Sequence, residues 1–321
     1  MMRFTLRWVR MNLPLFARLP LVTWALALPF AIGCSHARPQ AAAVPQAPPF
    51  EFIGEWGVRG TDPGQLADPV GPAVDAAGRV YFVDRASALV QKFEASGVPL
   101  LSFEDSMVRH ASAVAVDSGG GIYVADASAG QIRVYFPEGD PIRVIRVAPQ
   151  RNFAGPFTFT VAADGALFVP DPAGGRVQVL GRLGRIERVW RVPPDAAGKL
   201  AMPVAAVAGP DGLVYVADAG ADRIVKFTRG GGQAGSWDDS AGSPAPLLDL
   251  AVSSKYVFAL RGASPRIVVW TLDGQRVLSD NLDGRLDSPE RVGGSFALGP
   301  GGELVVLDPA VPRVLRFRVN F

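Results

Sequence analysis

Six positions spaced by 42 to 47 residues carry charged side chains: Asp84, Asp126, Asp171, Asp218, Arg261 and Asp308. Carboxylates gathered into a ring could hold a cation or share a proton. Four of the six are followed five residues later by an arginine, at Arg176, Arg223, Arg266 and Arg313. A side chain that recurs in this way meets a local need, bonding turn backbone or that arginine. Residues that do not recur are better candidates for contact with a ligand or partner. Arg109, His110 and Arg151 precede the second and third copies, and Asp238 and Asp239 precede the fifth. The stretch DNLDGRLDSPE, residues 280–290, has carboxylates at its positions 1, 4, 8 and 11. That is not the spacing of a calcium loop, and with Arg285 and Arg291 interleaved it reads as a solvated acidic loop.

Other chemistry is sparse. The chain has one cysteine, Cys34, which excludes an intrachain disulfide, and two histidines, which leave little for a histidine-based metal or catalytic site. There is no nucleophile–base pair, phosphate-binding glycine loop or pair of carboxylates at a convincing spacing. No catalytic residue, metal ligand or cofactor is therefore assigned.

The elements that position these residues are repeats. GRVYFVDRASALVQKF, GGIYVADASAGQIRVY and GLVYVADAGADRIVKF are copies of one pattern, joined by GALFVPDPAGGRVQVL, KYVFALRGASPRIVVW and GELVVLDPAVPRVLRF. Nine residues after the charged position stand Phe93, Tyr135, Leu180, Phe227, Trp270 and Phe317. Six residues before it stand Gly78, Gly120, Gly165, Gly212, Lys255 and Gly302, at a turn between strands. Four copies have a proline fifteen residues before it: Pro69, Pro156, Pro203 and Pro246. Each copy adds a short apolar strand before the glycine turn, and most add a further strand after the bulky residue. Four strands per roughly 45 residues is the signature of a propeller blade.

These residues resemble the NHL repeat, over residues 50–321. The resemblance implies an all-β, six-bladed β-propeller of four-stranded blades. The last copy ends after its third strand, and FEFIGEWG at residues 50–57 reads as a fourth strand lacking the other three. The N-terminal strand is expected to pair into the last blade and close the ring. Calcium-dependent lactonases of this shape gather Asn, Asp and Glu around the axis from the innermost strands, and propeller amidating lyases use several histidines. Here the innermost strands are nearly all apolar or small, with Asp249 in LLDLAVSS the one obvious carboxylate. The blade connections, which share a face with the turns between second and third strands, are the expected contact surface.

Residues 1–33 hold Arg3, Arg7, Arg10 and Arg18, no acid, and the apolar run LPLVTWALALPFAIG. This fits a secretory signal and is short for a membrane span. Met1 or Met11 could be the start. The ending AIGC resembles a bacterial lipoprotein signal, which implies a lipid on Cys34 and, through Ser35, sorting to the outer membrane of a Gram-negative host. Cleavage after Ala37 and an uncleaved anchor are the alternatives. Residues 34–49 are Pro/Ala-rich and form an extended tether reaching about 45 Å at ~3.1 Å per residue.

The formal charge is +2, from 32 basic and 30 acidic residues. Removing residues 1–33 takes away four arginines, leaving 28 against 30 and a charge of −2. The basic bias belongs to the signal, and no nucleic-acid partner is expected. The expected function is that of a non-catalytic envelope lipoprotein facing the periplasm. Its propeller would bind a protein, peptide or glycan or scaffold an assembly, with the membrane engaged through the lipid on Cys34. The alternative is a calcium-type hydrolase or lyase with its site at the axis.

Overall fold

The computed structural model describes residues 49–321 except 127, 148–158, 200, 239–245, 263–265, 286–294 and 309–310. The expected signal, Cys34 and nearly all of the tether therefore lie outside the described residues, as do Arg151 and Asp239.

Strand β1 (Phe50–Trp56) comes first and belongs to the last blade. Blade one holds β2 (Pro69–Val74), β3 (Val80–Asp84), β4 (Leu89–Phe93) and β5 (Pro99–Glu104). Blade two holds β6 (Ala113–Val116), β7 (Ile122–Asp126), β8 (Gln131–Tyr135) and β9 (Pro141–Arg146). In blade three these are β10 (Thr160–Val161), β11 (Leu167–Asp171), β12 (Arg176–Leu180) and β13 (Ile186–Arg191). Blade four has β14 (Pro203–Ala208), β15 (Leu213–Asp218), β16 (Arg223–Thr228) and β17 (Gln233–Asp238). Blade five has β18 (Leu247–Val252), β19 (Tyr256–Arg261), β20 (Arg266–Thr271) and β21 (Arg276–Asp280). Blade six has β22 (Phe296–Leu298), β23 (Glu303–Asp308) and β24 (Arg313–Val319), with β1 paired antiparallel to β24. The protein is thus an all-β, six-bladed propeller of four-stranded antiparallel blades, closed by its N-terminal strand.

The second strand of a blade is flanked by strands on both edges and covered by neighbouring blades on both faces. Every residue of β3, β7 and β11 is buried, which is why these segments read as unbroken apolar runs ending in Asp. Outer strands keep only occasional buried residues, such as Trp190 in β13. The glycine turn behind each second strand has a physical cause in five copies. Gly78, Gly120, Gly165, Gly212 and Gly302 all have φ between +80° and +85°, where a Cβ is strained. Copy five, with Lys255 there, uses a shorter turn in which Ser253 Oγ accepts from the Tyr256 N–H at 3.0 Å.

Among the described residues the apolar core is divided between the blades. The buried apolar residues form six clusters, one at each junction between adjacent blades. A blade therefore buries its faces only through its two neighbours, and the ring is stable as a whole. All six junctions lie within residues 50–321, so this portion folds without what precedes it.

Candidate functional site

The charged position closing each second strand organises the connection face. Asp84 Oδ2 accepts from the N–H groups of Ala67 and Asp68 at 2.6 and 2.9 Å, and its Oδ1 from Ser87 N–H at 3.0 Å. One carboxylate thus ties the incoming connection to the turn between the second and third strands. Asp218 does the same with an added ion pair: Oδ1 accepts from Met202, Gly220 and Ala221, and Oδ2 from Arg223 Nε at 3.0 Å. Asp171–Arg176 and Asp308–Arg313 repeat the pair at 2.7 and 3.2 Å. In blade five the sign is reversed, and buried Arg261 takes its carboxylate from Asp222 of blade four at 2.8 Å. The recurrent Asp residues bond the scaffold, as their regularity indicated.

This gives a measurable difference between buried and exposed pairs. Asp218 is fully buried and Arg223 is only 10% exposed. Asp218→Ala should cost about 3–5 kcal/mol, because a buried guanidinium and several N–H groups lose their acceptor. Asp68→Ala breaks a pair with Arg85 whose side chains are both largely exposed, and should cost at most about 1 kcal/mol. Urea unfolding midpoints of the two variants check the contrast.

Of the non-recurrent candidates, Arg109 and His110 end a short 3-10 helix, Ser106–His110, in the connection from blade one to blade two. Asp105 caps it by accepting from Met107 N–H at 2.9 Å, and buried Val108 pins it to the core. Arg109 donates to Ala86 O at 2.8 Å, and both Arg109 and His110 are exposed. Asp238 ends β17, paired in register with Arg223, and is also exposed. It precedes blade five, so half the ring separates it from Arg109 and His110. The connection face carries both groups but does not bring them together.

At the axis, the inner strands bear apolar side chains and a few polar ones that join neighbouring blades. Asp249 is buried in β18; its Oδ2 accepts from Phe296 N–H of blade six at 3.0 Å and its Oδ1 from Leu250 N–H at 2.7 Å. Thr160 donates to Ala206 O of blade four at 2.9 Å, and Ser295 donates to Gly71 O of blade one. Calcium takes six to eight oxygen ligands. Among the described residues no three His, Cys, Asp or Glu side chains cluster to hold a metal, and Asp249 acts as a strap between blades.

Three further recurrent contacts fall outside the pattern read from the sequence. First, a bulky residue on five of the six outer strands packs on a glycine in the next blade's hairpin between third and fourth strands. Trp56 faces Gly97, Phe103 faces Gly139, Ile145 faces Gly184, Trp190 faces Gly231 and Trp237 faces Gly274. These glycines stand thirteen residues after the charged position, a fixed offset that could have been found. Second, carboxylates behind three first strands accept from buried tyrosine hydroxyls: Asp75 from Tyr81, Asp117 from Tyr123 and Asp211 from Tyr215. Burial pushes the Asp75 carboxyl up, but bonds from the Arg79 backbone, the Tyr81 hydroxyl, the Arg79 guanidinium and Ala77 N–H together hold it below its ordinary value. Burial, with the facing carboxylate, raises Tyr81 and Tyr215. Third, a cation from one blade bonds the equivalent carbonyl of the next: Arg143 to Arg182 O, Arg188 to Arg229 O and Lys226 to Leu272 O, at 2.8, 2.9 and 3.1 Å. Arg143 and Arg188 share one offset, seventeen residues after the charged position on a fourth strand, which could have been found; Lys226 reaches its carbonyl from a third strand, where the repeat conceals it.

Comparison with solved structures finds propellers. A streptogramin B lyase superposes with a TM-score of 0.60 and 14% identity, covering 84% of this chain and 98% of its own. The likeness is one of fold. A catalytically inactive virginiamycin B lyase from Staphylococcus aureus, with quinupristin, gives a TM-score of 0.57 at 13% identity over 79% of this chain and 83% of its own. No family model matches the sequence, and no curated protein matches it.

Proposed function

We propose that the chain is an NHL-type propeller of the bacterial envelope that binds a protein, peptide or glycan partner through its connection face, without catalysing a reaction. In this reading residues 1–33 direct export, Cys34 carries the lipid, and residues 34–49 tether the ring to the outer membrane, facing the periplasm. The observation that carries it is the use made of charge. The recurrent carboxylates and Asp249 bond the scaffold, whereas Arg109, His110 and Asp238 stand exposed where the copies differ.

Crosslinking and affinity capture from envelope fractions test it. The wild-type protein should retain a partner that Arg109→Glu with His110→Ala loses at unchanged thermal stability. Mass spectrometry of the mature N-terminus should find an acylated Cys34; an unmodified residue there sinks the anchoring.

The second reading, a metal-dependent hydrolase or lyase at the axis, draws support from the lyases that share the fold. The donor set does not favour it, since Asp249 already accepts from two backbone N–H groups. Stoichiometric calcium or zinc in the purified protein, with stability lost on chelation, would decide for this second reading.

A further inference from the structure

Many described arginines of the ring are paired with carboxylates, as in Arg79–Asp75, Arg133–Asp105, Arg316–Glu303 and Arg318–Glu51. Six that are not stand together. Arg143 and Arg146 on β9, Arg182 and Arg185 in the hairpin before β13, and Arg188 and Arg191 on β13 form no ion pair among the described residues. Of the other outer strands, β1, β5 and β17 hold no cation and β21 holds only Arg276, so this charge is concentrated on the wall of blades two and three. Glu138, Asp140 and Glu187 lie beside these arginines along the chain and Asp117 lines a pocket with Arg143 and Arg182, so four carboxylates against six guanidinium groups leave a cationic excess of two. The Arg143 bond to Arg182 O joins the two blades into one surface.

Aliphatic side chains are interleaved with these cations. Ile142, Val144, Ile186 and Val189 are exposed on the same two strands, and Leu183, between Arg182 and Arg185, is 75% exposed at its hairpin tip. An apolar tip flanked by guanidinium groups, on the outer wall of a ring, suits a flat anionic surface. The aliphatic groups enter the headgroup boundary while the arginine stems lie along it and their charges meet phosphate. Single-stranded nucleic acid would call for a row of exposed stacking aromatics, whereas Trp190, the one aromatic of β13, is buried against Gly231 and the blade-two hairpin exposes Phe136 alone.

We propose that the outer wall of blades two and three is a membrane-docking surface for anionic phospholipid headgroups. This contact is independent of any lipid on Cys34 and of the partner assigned to the connection face. It would hold the ring on its side against the bilayer instead of letting it swing on a tether.

The test uses residues 35–321, which lack Cys34 and so cannot carry its acyl chain. The protein should cosediment with phosphatidylcholine vesicles containing phosphatidylglycerol, release them at high salt, and ignore phosphatidylcholine alone. A variant combining Arg146→Gln, Arg182→Gln, Arg185→Gln and Arg191→Gln leaves the two blade-joining arginines intact and should melt as wild type. It should bind at least about twentyfold more weakly, since each cation near an anionic surface contributes roughly a fivefold factor. Leu183→Ser should weaken binding without changing charge. Equal binding to both kinds of vesicle, no binding to either, or an unaffected quadruple variant overturns the proposal. Binding to an acidic polypeptide in place of vesicles would instead assign the wall to a protein partner.

Discussion

Deleting residues 50–56 should abolish cooperative folding of the ring, even though it removes only one strand of twenty-four. Strand β1 supplies the outer strand of blade six, pairing from Phe50 with Val319 to Trp56 with Val314. Phe50 is buried, Phe52 and Trp56 are half-buried, and the Trp56 indole donates to Ala95 O of blade one at 3.0 Å. Losing these three aromatics, two of them half-buried, forfeits about 3–6 kcal/mol at ~1.5–3 kcal/mol per fully buried side chain. That is a large share of the whole stability of an ordinary domain, about 5–15 kcal/mol. The deletion also exposes β24 as an open edge, which invites aggregation. Rescue separates closure from mere loss of sequence. Asn320 N–H donates to Pro49 O at 3.0 Å, so the start of β1 and the end of β24 already lie side by side. Moving residues 50–56 behind Phe321 through a short glycine linker should restore a single cooperative melt close to wild type. A deletion variant that melts normally would show that the ring does not depend on this pairing, and a permuted chain that fails to fold would show that supplying the strand is not enough to close it.

The second large effect is expected at the hairpin glycines. A Cβ on Gly231 would lie 2.5 Å from Trp190 Cδ1, and the residue has φ of +91°. Gly231→Ala should cost about 3–5 kcal/mol, combining left-handed backbone strain with forced displacement of a packed indole. Gly212 provides the control: its φ is +80°, but nothing lies within 4 Å of a Cβ there. Gly212→Ala should cost only the strain, about 1–2 kcal/mol. Adding Trp190→Ala to Gly231→Ala should give a double variant more stable than the sum of the single losses predicts, because the clash is gone. Denaturant titrations of the four variants measure that coupling, and strict additivity would remove the indole from the explanation.

Much of the blade was legible because a repeat states each local requirement several times over. The glycine behind the second strand recurs because only φ near +80° makes that turn, and the bulky residue nine after the charged position recurs because each junction needs filling. The carboxylate of Asp218 was readable in the same way, since its partners lie within its own blade or in the connection that feeds it. Contacts reaching into the next blade were harder to see. Arg143 and Arg188 bond equivalent carbonyls from the same fourth-strand offset, but Lys226 bonds the next equivalent carbonyl from a third strand, so no single spacing marks all three. Arg261 breaks the repeat in sequence and is repaired in space by Asp222 of the preceding blade.

The sequence by itself determined the number of blades, the strand that closes them and the structural role of the recurrent Asp. Those follow from strand periodicity, turn chemistry and a fixed repeat length, all of them local. Only the tertiary structure decided which polar groups are consumed and which remain free. Asp249, a candidate acid on paper, is a strap between blades five and six because Phe296 N–H is brought to it. Six arginines scattered over 49 residues became one surface, because outer strands of adjacent blades are neighbours in space whatever their distance along the chain.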